Sequence, residues 1–153
     1  MGSEMCIRDR YQDNLGFGFM TSLGVKVANP GRAVVSISGD GGFMYGVQEL
    51  ATAAQYGIGV VAIVFNNQSF GNVLRDQATR YNGRVIGAHL INPDFLVLAR
   101  SFGIEATRVN DPQGLQRELD VALTRGAPCL IEVQVEPGSE ISPWPFLHPN
   151  GFG

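Results

Sequence analysis

Two short polar clusters each close an apolar, strand-like run. Gly39-Asp40-Gly41-Gly42 follows Ala33-Val34-Val35-Ser36-Ile37-Ser38, and Asn66-Asn67-Gln68-Ser69-Phe70-Gly71 follows Val60-Val61-Ala62-Ile63-Val64-Phe65. The glycines admit close backbone approach and positive φ, so amide N–H groups at the start of the next helix can face an anion such as a phosphate. Asp40 then lies beside phosphate oxygens, and two anionic groups side by side call for a cation between them. A hard divalent ion with oxygen ligands, Mg²⁺ or Ca²⁺, suits that mixture. Asn67 adds an amide oxygen, and a loop carbonyl from about Ser69 completes the protein's share of an octahedron.

These clusters meet only if the runs that carry them are neighbouring parallel strands. Two such strands joined by a helix make a right-handed βαβ unit with both clusters at the carboxyl edge, where open α/β sheets bind ligands. The joining helix is expected over Phe43 to Tyr56, with Val47, Leu50, Ala51, Ala54 and Gln55 at helical spacing, and Gly57-Ile58-Gly59 turns the chain into the second strand. Upstream, Gly16 to Ala28 reads as a helix stopped by Asn29-Pro30-Gly31. Downstream, Phe70 to Arg84 is irregular, a short helix and loop serving either as a lid or as plain solvated surface. Asn92-Pro93-Asp94 starts a helix through Phe95, Leu96, Ala99 and Phe102, which Gly103 closes. Ile104 to Val109 is a third strand, Asn110-Asp111-Pro112 opens a helix through Leu115, Leu119 and Ala122, and Cys129 to Val135 is a fourth strand. This alternation predicts an α/β fold, a mainly parallel sheet with helices on both faces.

The 153 residues carry a net charge of -3 with no basic run, which argues against a nucleic-acid partner. No apolar run reaches membrane-spanning length, and no secretory signal is visible. Cys6 and Cys129 lack metal-ligand spacing, Cys129 reads as a buried small residue, and a cytoplasmic location is the expectation. His89 and His148 stand apart from metal-like partners, and Glu49, beyond the glycine turn, reads as structural. Residues 1–10 lack periodicity and are set aside as a tag, an assembly remnant or a linker. Residues 11–136 are the expected domain and 137–153 a Pro/Gly-rich tail, whose Trp144, Phe146, Leu147 and Phe152 can pack over a neighbouring surface.

A Gly-Asp-Gly alone is an ordinary turn. With a strand before it, a helix after it and Asn66-Asn67 closing the segment, it resembles the thiamine-diphosphate signature of the acetolactate synthase and pyruvate decarboxylase superfamily. The resemblance covers Leu15 to about Pro149, the carboxyl-terminal, diphosphate-binding domain of longer enzymes, and includes Gln48-Glu49-Leu50; it is looser where the family often has proline and alanine and this chain has Met20, Thr21 and Ser22. It implies thiamine diphosphate and Mg²⁺ as cofactors. Asp40, the Asn67 side-chain oxygen and the Ser69 carbonyl would hold the metal. Gly41 and Gly42 would hold the diphosphate, with Gly39, Phe70 and Gly71 beside it. Leu15 would stand where the family props its cofactor into a bent shape, unless it is a helix-entry core leucine.

The activity implied is carbon–carbon bond formation or cleavage on a 2-oxo acid, acetolactate-synthase-like carboligation first and simple decarboxylation second. In the family, the glutamate that activates the cofactor lies in an amino-terminal domain, normally of a partner subunit, and nothing in these residues corresponds to it. The chain is therefore expected to be a fragment or a split-enzyme component, partnered by an amino-terminal pyrimidine-binding domain or by further copies of itself. A non-catalytic cofactor-binding or structural module is the alternative. A Rossmann nucleotide binder is weaker, because Gly-x-Gly-x-x-Gly spacing is absent after either strand.

Overall fold

The computed structural model describes residues 6–7 and 15–139. Its strands are β1 (Cys6–Ile7), β2 (Val34–Gly39), β3 (Val60–Asn66), β4 (Glu105–Val109) and β5 (Cys129–Gln134). They form one sheet in the order β1-β2-β3-β5-β4, and every pairing is parallel. The short strand β1 falls in the segment set aside in the sequence reading, and it pairs Cys6 with Val34 and Ile7 with Val35.

Helices cover both faces. One face packs α1 (Phe17–Ala28), α2 (Asp40–Met44), α3 (Leu50–Gln55) and α5 (Phe95–Ser101) on Val34, Val60, Ala62, Val64, Ala106 and Leu130. The other carries α6 (Pro112–Arg125), whose Leu115, Leu119, Ala122 and Leu123 pack on Val35, Val61, Ile63, Ile131 and Val133. The alternation along each strand divides its residues between the two cores. Of the remaining elements, α4 (Gly71–Arg80) carries no buried residue.

Helix ends follow their sequence signals. Asp94 caps α5 by accepting from the N–H groups of Leu96 and Val97, and Asp111 caps α6 by accepting from Gly114 N. Pro112 stands in the first turn of α6, and Gly126, at φ 68°, ends it in the left-handed conformation that a side chain disfavours.

Three expectations need correction. Gly39, Gly41 and Gly42 do not have positive φ; the left-handed residue of the neighbourhood is Gln68, at φ 58°. The segment after β2 is not one helix from Phe43 to Tyr56. It starts at Asp40, stops at Met44, passes through a 3₁₀ turn over Val47–Glu49 and resumes as α3, so Asp40 is a helix residue and not a loop residue. The break lies at a close approach of the chain. At Gly46 a Cβ would lie 3.0 Å from Met20 Cγ and 3.4 Å from the Gly16 carbonyl, so α1 presses on the chain there. The region after Phe70 is more regular than expected, with ten residues of helix in α4. Trp144, Phe146, Leu147, His148 and Phe152 of the tail lie outside the described residues.

Candidate functional site

At the carboxyl edge of the sheet one core face turns from apolar to polar along three strands. On β3 the face reads Val60, Ala62, Val64 and then Asn66; on β5 Leu130 is followed by Glu132; on β4 Ala106 is followed by Arg108. The register pairs Val64 with Glu132 and Glu132 with Arg108, so these side chains share a face. On β2, Gly39 pairs with Phe65, and Asp40 and Asn66 therefore leave the sheet side by side.

A continuous chain of hydrogen bonds joins them. Asn92 Nδ2 donates to Asp40 Oδ2 at 2.7 Å and to Asn66 Oδ1 at 3.0 Å. Asn66 Nδ2 donates to Glu132 Oε1 at 2.7 Å, and Arg108 Nε donates to Glu132 Oε2 at 2.7 Å. Arg108 also reaches Asp94 Oδ1 at 3.2 Å. Asp40 and Glu132 are each 1% exposed, yet both carboxylates are satisfied, as buried charge requires. The hydrogen bond to Glu132 holds the Arg108 guanidinium above its ordinary pKa, partly offset by desolvation. Backbone N–H donation from Val97 holds the Asp94 carboxyl below its own, against some desolvation, with Leu96 and Arg108 adding to the effect.

The loop after β3 is shaped by the same residues. Asn66 Oδ1 accepts from Gln68 N at 3.1 Å, Asn67 Oδ1 accepts from Ser69 N at 3.0 Å, and Leu90 N donates to Gln68 O at 2.8 Å. These bonds hold Gln68 in a left-handed conformation that costs a non-glycine residue on the order of 1 kcal/mol. Ser69, 5% exposed, forms an antiparallel bridge with His89, flanked by Phe70 N to Ala88 O at 2.9 Å and Leu90 N to Gln68 O. In that arrangement the N–H and C=O of Ser69 itself point away from residues 88–90.

The sequence-nominated residues thus gather at one edge. Asp40, Asn67 and Ser69 supply a carboxylate, an amide and a backbone carbonyl, all oxygen donors. Among the described residues no group of three His, Cys, Asp or Glu could hold a metal. A hard cation that keeps water and phosphate ligands fits such a mixed set better than a soft, thiol- or imidazole-seeking metal does. Gly41 is buried under Phe70: an added Cβ would lie 2.6 Å from Phe70 Cδ1 and 3.1 Å from Leu90 Cδ1. Gly39 faces open space, and Leu15, 49% exposed, reaches over Gly42, its Cδ2 lying 3.6 Å from where a Cβ would stand. Gly71 opens α4 behind Phe70.

Three functional candidates were missed. Asn92 was read only as part of a helix start, Glu132 as part of an apolar strand, and Arg108 not at all. The available signal was an acid and a base placed in strands at core-facing positions, two residues beyond Leu130 and Ala106. Other sequence readings fit the structure. Glu49 accepts from Thr52 Oγ1 at 2.7 Å, a local helix contact, and burial pushes the Cys129 thiol up to about 11, as for an unreactive core residue.

Comparison with known proteins identifies a family. Residues 4–133 match the family model described as thiamine pyrophosphate enzyme, C-terminal TPP binding domain. A probable acetolactate synthase large subunit of Methanocaldococcus jannaschii is 38% identical over 138 residues, which is 90% of this chain and 23% of that protein. An acetolactate synthase of Arthrospira platensis is 42% identical over 123 residues, 79% of this chain and 21% of that protein. The thiamine diphosphate-dependent 4-hydroxybenzoylformate decarboxylase of Rhodococcus jostii RHA1 superposes with a TM-score of 0.76 at 34% identity, covering 82% of this chain and 24% of that one. The chain therefore spans less than a quarter of the length of each of these relatives.

Proposed function

The chain belongs to the family of C-terminal TPP-binding domains of thiamine pyrophosphate enzymes, and on that premise we propose that it binds thiamine diphosphate through Mg²⁺ held by Asp40, the Asn67 amide oxygen and the Ser69 carbonyl. The observation that carries this reading is the buried Asp40 carboxylate at the end of β2, brought beside the Asn66–Ser69 loop at the end of β3. Gly42 leaves backbone accessible next to it, while Gly41 lies beneath Phe70, with Gly39 and Gly71 around them. Leu15 stands over Gly42, where a bulky apolar side chain can support the cofactor's rings.

When bound, thiamine diphosphate supplies an electron sink for carbon–carbon chemistry on a 2-oxo acid. This chain's residues bind and orient it: Asp40 neutralises half of the cation's charge, and Asn92 and Gly41 N fix both oxygens of that carboxylate. The proposed activity is acetolactate-synthase-like carboligation, supported by the two acetolactate synthase relatives. Simple decarboxylation is the second reading, favoured by the structural likeness to a decarboxylase. Turnover is proposed to need an amino-terminal pyrimidine-binding domain or further copies of the chain, in the cytoplasm.

Calorimetric titration of the chain with thiamine diphosphate, once with Mg²⁺ and once with a chelator, tests the reading. Binding is expected only with the metal, and Asp40→Ala is expected to abolish it while the circular dichroism stays that of the parent. Equal affinity with and without metal would overturn the assignment.

A further inference from the structure

We propose that Glu132, on a strand that supplies no cofactor ligand, is a positioning residue that sets both arms of the cation site by fixing which way the Asn66 side chain faces. The proposal rests on the functional reading above and extends it to a residue outside the Gly39–Gly42 and Asn66–Gly71 clusters.

The reasoning is one of donors and acceptors. An ionised carboxylate only accepts hydrogen bonds. Glu132 Oε2 is taken by Arg108 Nε, so the charge on Glu132 is matched, and Oε1 faces Asn66. Asn66 must therefore present its NH₂ to Glu132 and its carbonyl oxygen in the opposite direction. That oxygen receives Gln68 N and Asn92 Nδ2. Asn92 must in turn present its NH₂, and it shares the two hydrogens between Asn66 Oδ1 and Asp40 Oδ2.

Both arms follow from that one orientation. Asp40 Oδ2 meets a donor, which holds the carboxylate in place and leaves its remaining lone pairs for a cation. Gln68 N is held by Asn66 Oδ1, which keeps the left-handed turn that places Asn67 and Ser69. With the Asn66 amide reversed, Gln68 N and the Asn92 NH₂ would meet a donor. Asn92 would have to reverse too, and its carbonyl oxygen would then repel Asp40.

A purely structural role accounts less well for this residue. Glu132 is fully buried between Ile131 and Val133, a site that suits an apolar side chain, while its partner Arg108 is 33% exposed and could keep its charge in solvent without it. What an apolar residue cannot do is specify the polarity of a chain of amides.

The test uses the whole chain and three variants. In Glu132→Gln the new amide offers one acceptor where Arg108 and Asn66 both bring donors, so only Gln68 N still enforces the polarity. Mg²⁺-dependent thiamine diphosphate binding is expected to weaken by up to about 10-fold, the low end of the effect of removing an outer partner of a metal ligand, because Glu132 acts on Asp40 through Asn66 and Asn92. The double change Asn66→Asp with Glu132→Gln exchanges donor and acceptor across the pair and is expected to recover most of the loss, whereas Asn66→Asp alone sets two carboxylates face to face and is expected to bind worse than the double change. Parent-like affinity in Glu132→Gln, or a double variant no tighter than Glu132→Gln alone, would overturn the proposal. A second readout needs neither metal nor cofactor. By NMR, the side-chain NH₂ protons of Asn66 and Asn92 are expected to exchange slowly in the parent, and free exchange there would also overturn it, even if Glu132→Gln fails to fold. Absence of metal-dependent binding in the parent chain would instead strike the functional reading, while the amide exchange still decides the orientation.

Discussion

Two strand-to-helix junctions in this molecule carry an aspartate, and they use it in opposite ways. After β4, Asp111 turns its carboxylate onto its own helix, accepting from Gly114 N at 2.7 Å, and fourteen residues of α6 follow between Pro112 and Arg125. After β2, Asp40 sits inside the first turn of a five-residue helix that has no side-chain cap, and one of its oxygens is given to Asn92 from a distant loop. The first junction is locally consistent: cap, proline and amphipathic face all favour the same helix. The second is held from outside. Phe43, 1% exposed, packs its ring 5.2 Å from that of Phe19 and 6.0 Å from that of Phe95, and so pins α2 to α1 and α5. A helix too short to persist alone persists because its neighbours grip it. The difference is that the Asp111 carboxylate is bonded within its own helix, whereas the buried Asp40 carboxylate takes Gly41 N of its helix with one oxygen and a distant loop with the other.

The sharpest way to break this comparison is to neutralise both aspartates without changing their shape. Asp40→Asn is expected to reduce Mg²⁺-dependent thiamine diphosphate affinity by more than about 100-fold, beyond the loss typical of an outer partner. Asp111→Asn is expected to leave it unchanged, since asparagine caps a helix as well as aspartate. Equal losses in the two variants would show that the junctions do not differ in kind.

Glycine packing gives a smaller effect that is read as stability. A methyl group at Gly41 meets the Phe70 ring, whereas one at Gly39 meets nothing within 4 Å on a backbone at φ -75° and ψ 160° that alanine accepts. Gly41→Ala is therefore expected to be less stable than Gly39→Ala by about 1–3 kcal/mol in denaturant unfolding, the range of overpacking penalties. The same stability in both would mean that Phe70 does not rest on Gly41. At the other junction, Asp111→Ala should lower stability by about 1 kcal/mol through loss of the cap, with no effect on cofactor affinity.

The same contrast explains what could be read from the sequence. Strands β2 to β5 and the helix starts at Asp94 and Asp111 were legible because each is set by residues within a few positions. The cluster Asp40, Asn67 and Ser69 was legible as a pattern of oxygen donors between two strand ends. Asn92, Arg108 and Glu132 were not, because their role exists only across the register of β3, β5 and β4 and through a loop 52 residues from Asp40. The start of α2 was misplaced for a related reason. Local propensity puts a turn at Gly39-Asp40-Gly41-Gly42, and contacts made by Phe43 override it.

The smallest expected effect lies where the two regions meet, at Asp94, which caps α5 and also touches Arg108, the exposed end of the hydrogen-bond chain. Its folded pKa lies below the ordinary 3.8, chiefly because backbone N–H groups of α5 donate to the ionised form. A depressed carboxyl pKa adds stability that is fully present above the unfolded value and is lost as pH falls through the folded one. The contribution should accordingly be constant at neutral pH and begin to fade below about 3.8. Asp94→Asn keeps an acceptor oxygen for Leu96 and Val97 but cannot titrate. The stability difference between parent and variant, followed by thermal unfolding across acid pH, is expected to be small, to shrink with added salt as an exposed charge's effect does, and to vanish at the acid end. A difference that grew on acidification would reverse the sign. Asp94 would then belong with the buried chain around Glu132, and the line between a self-capped helix and a site held from outside would have to be redrawn.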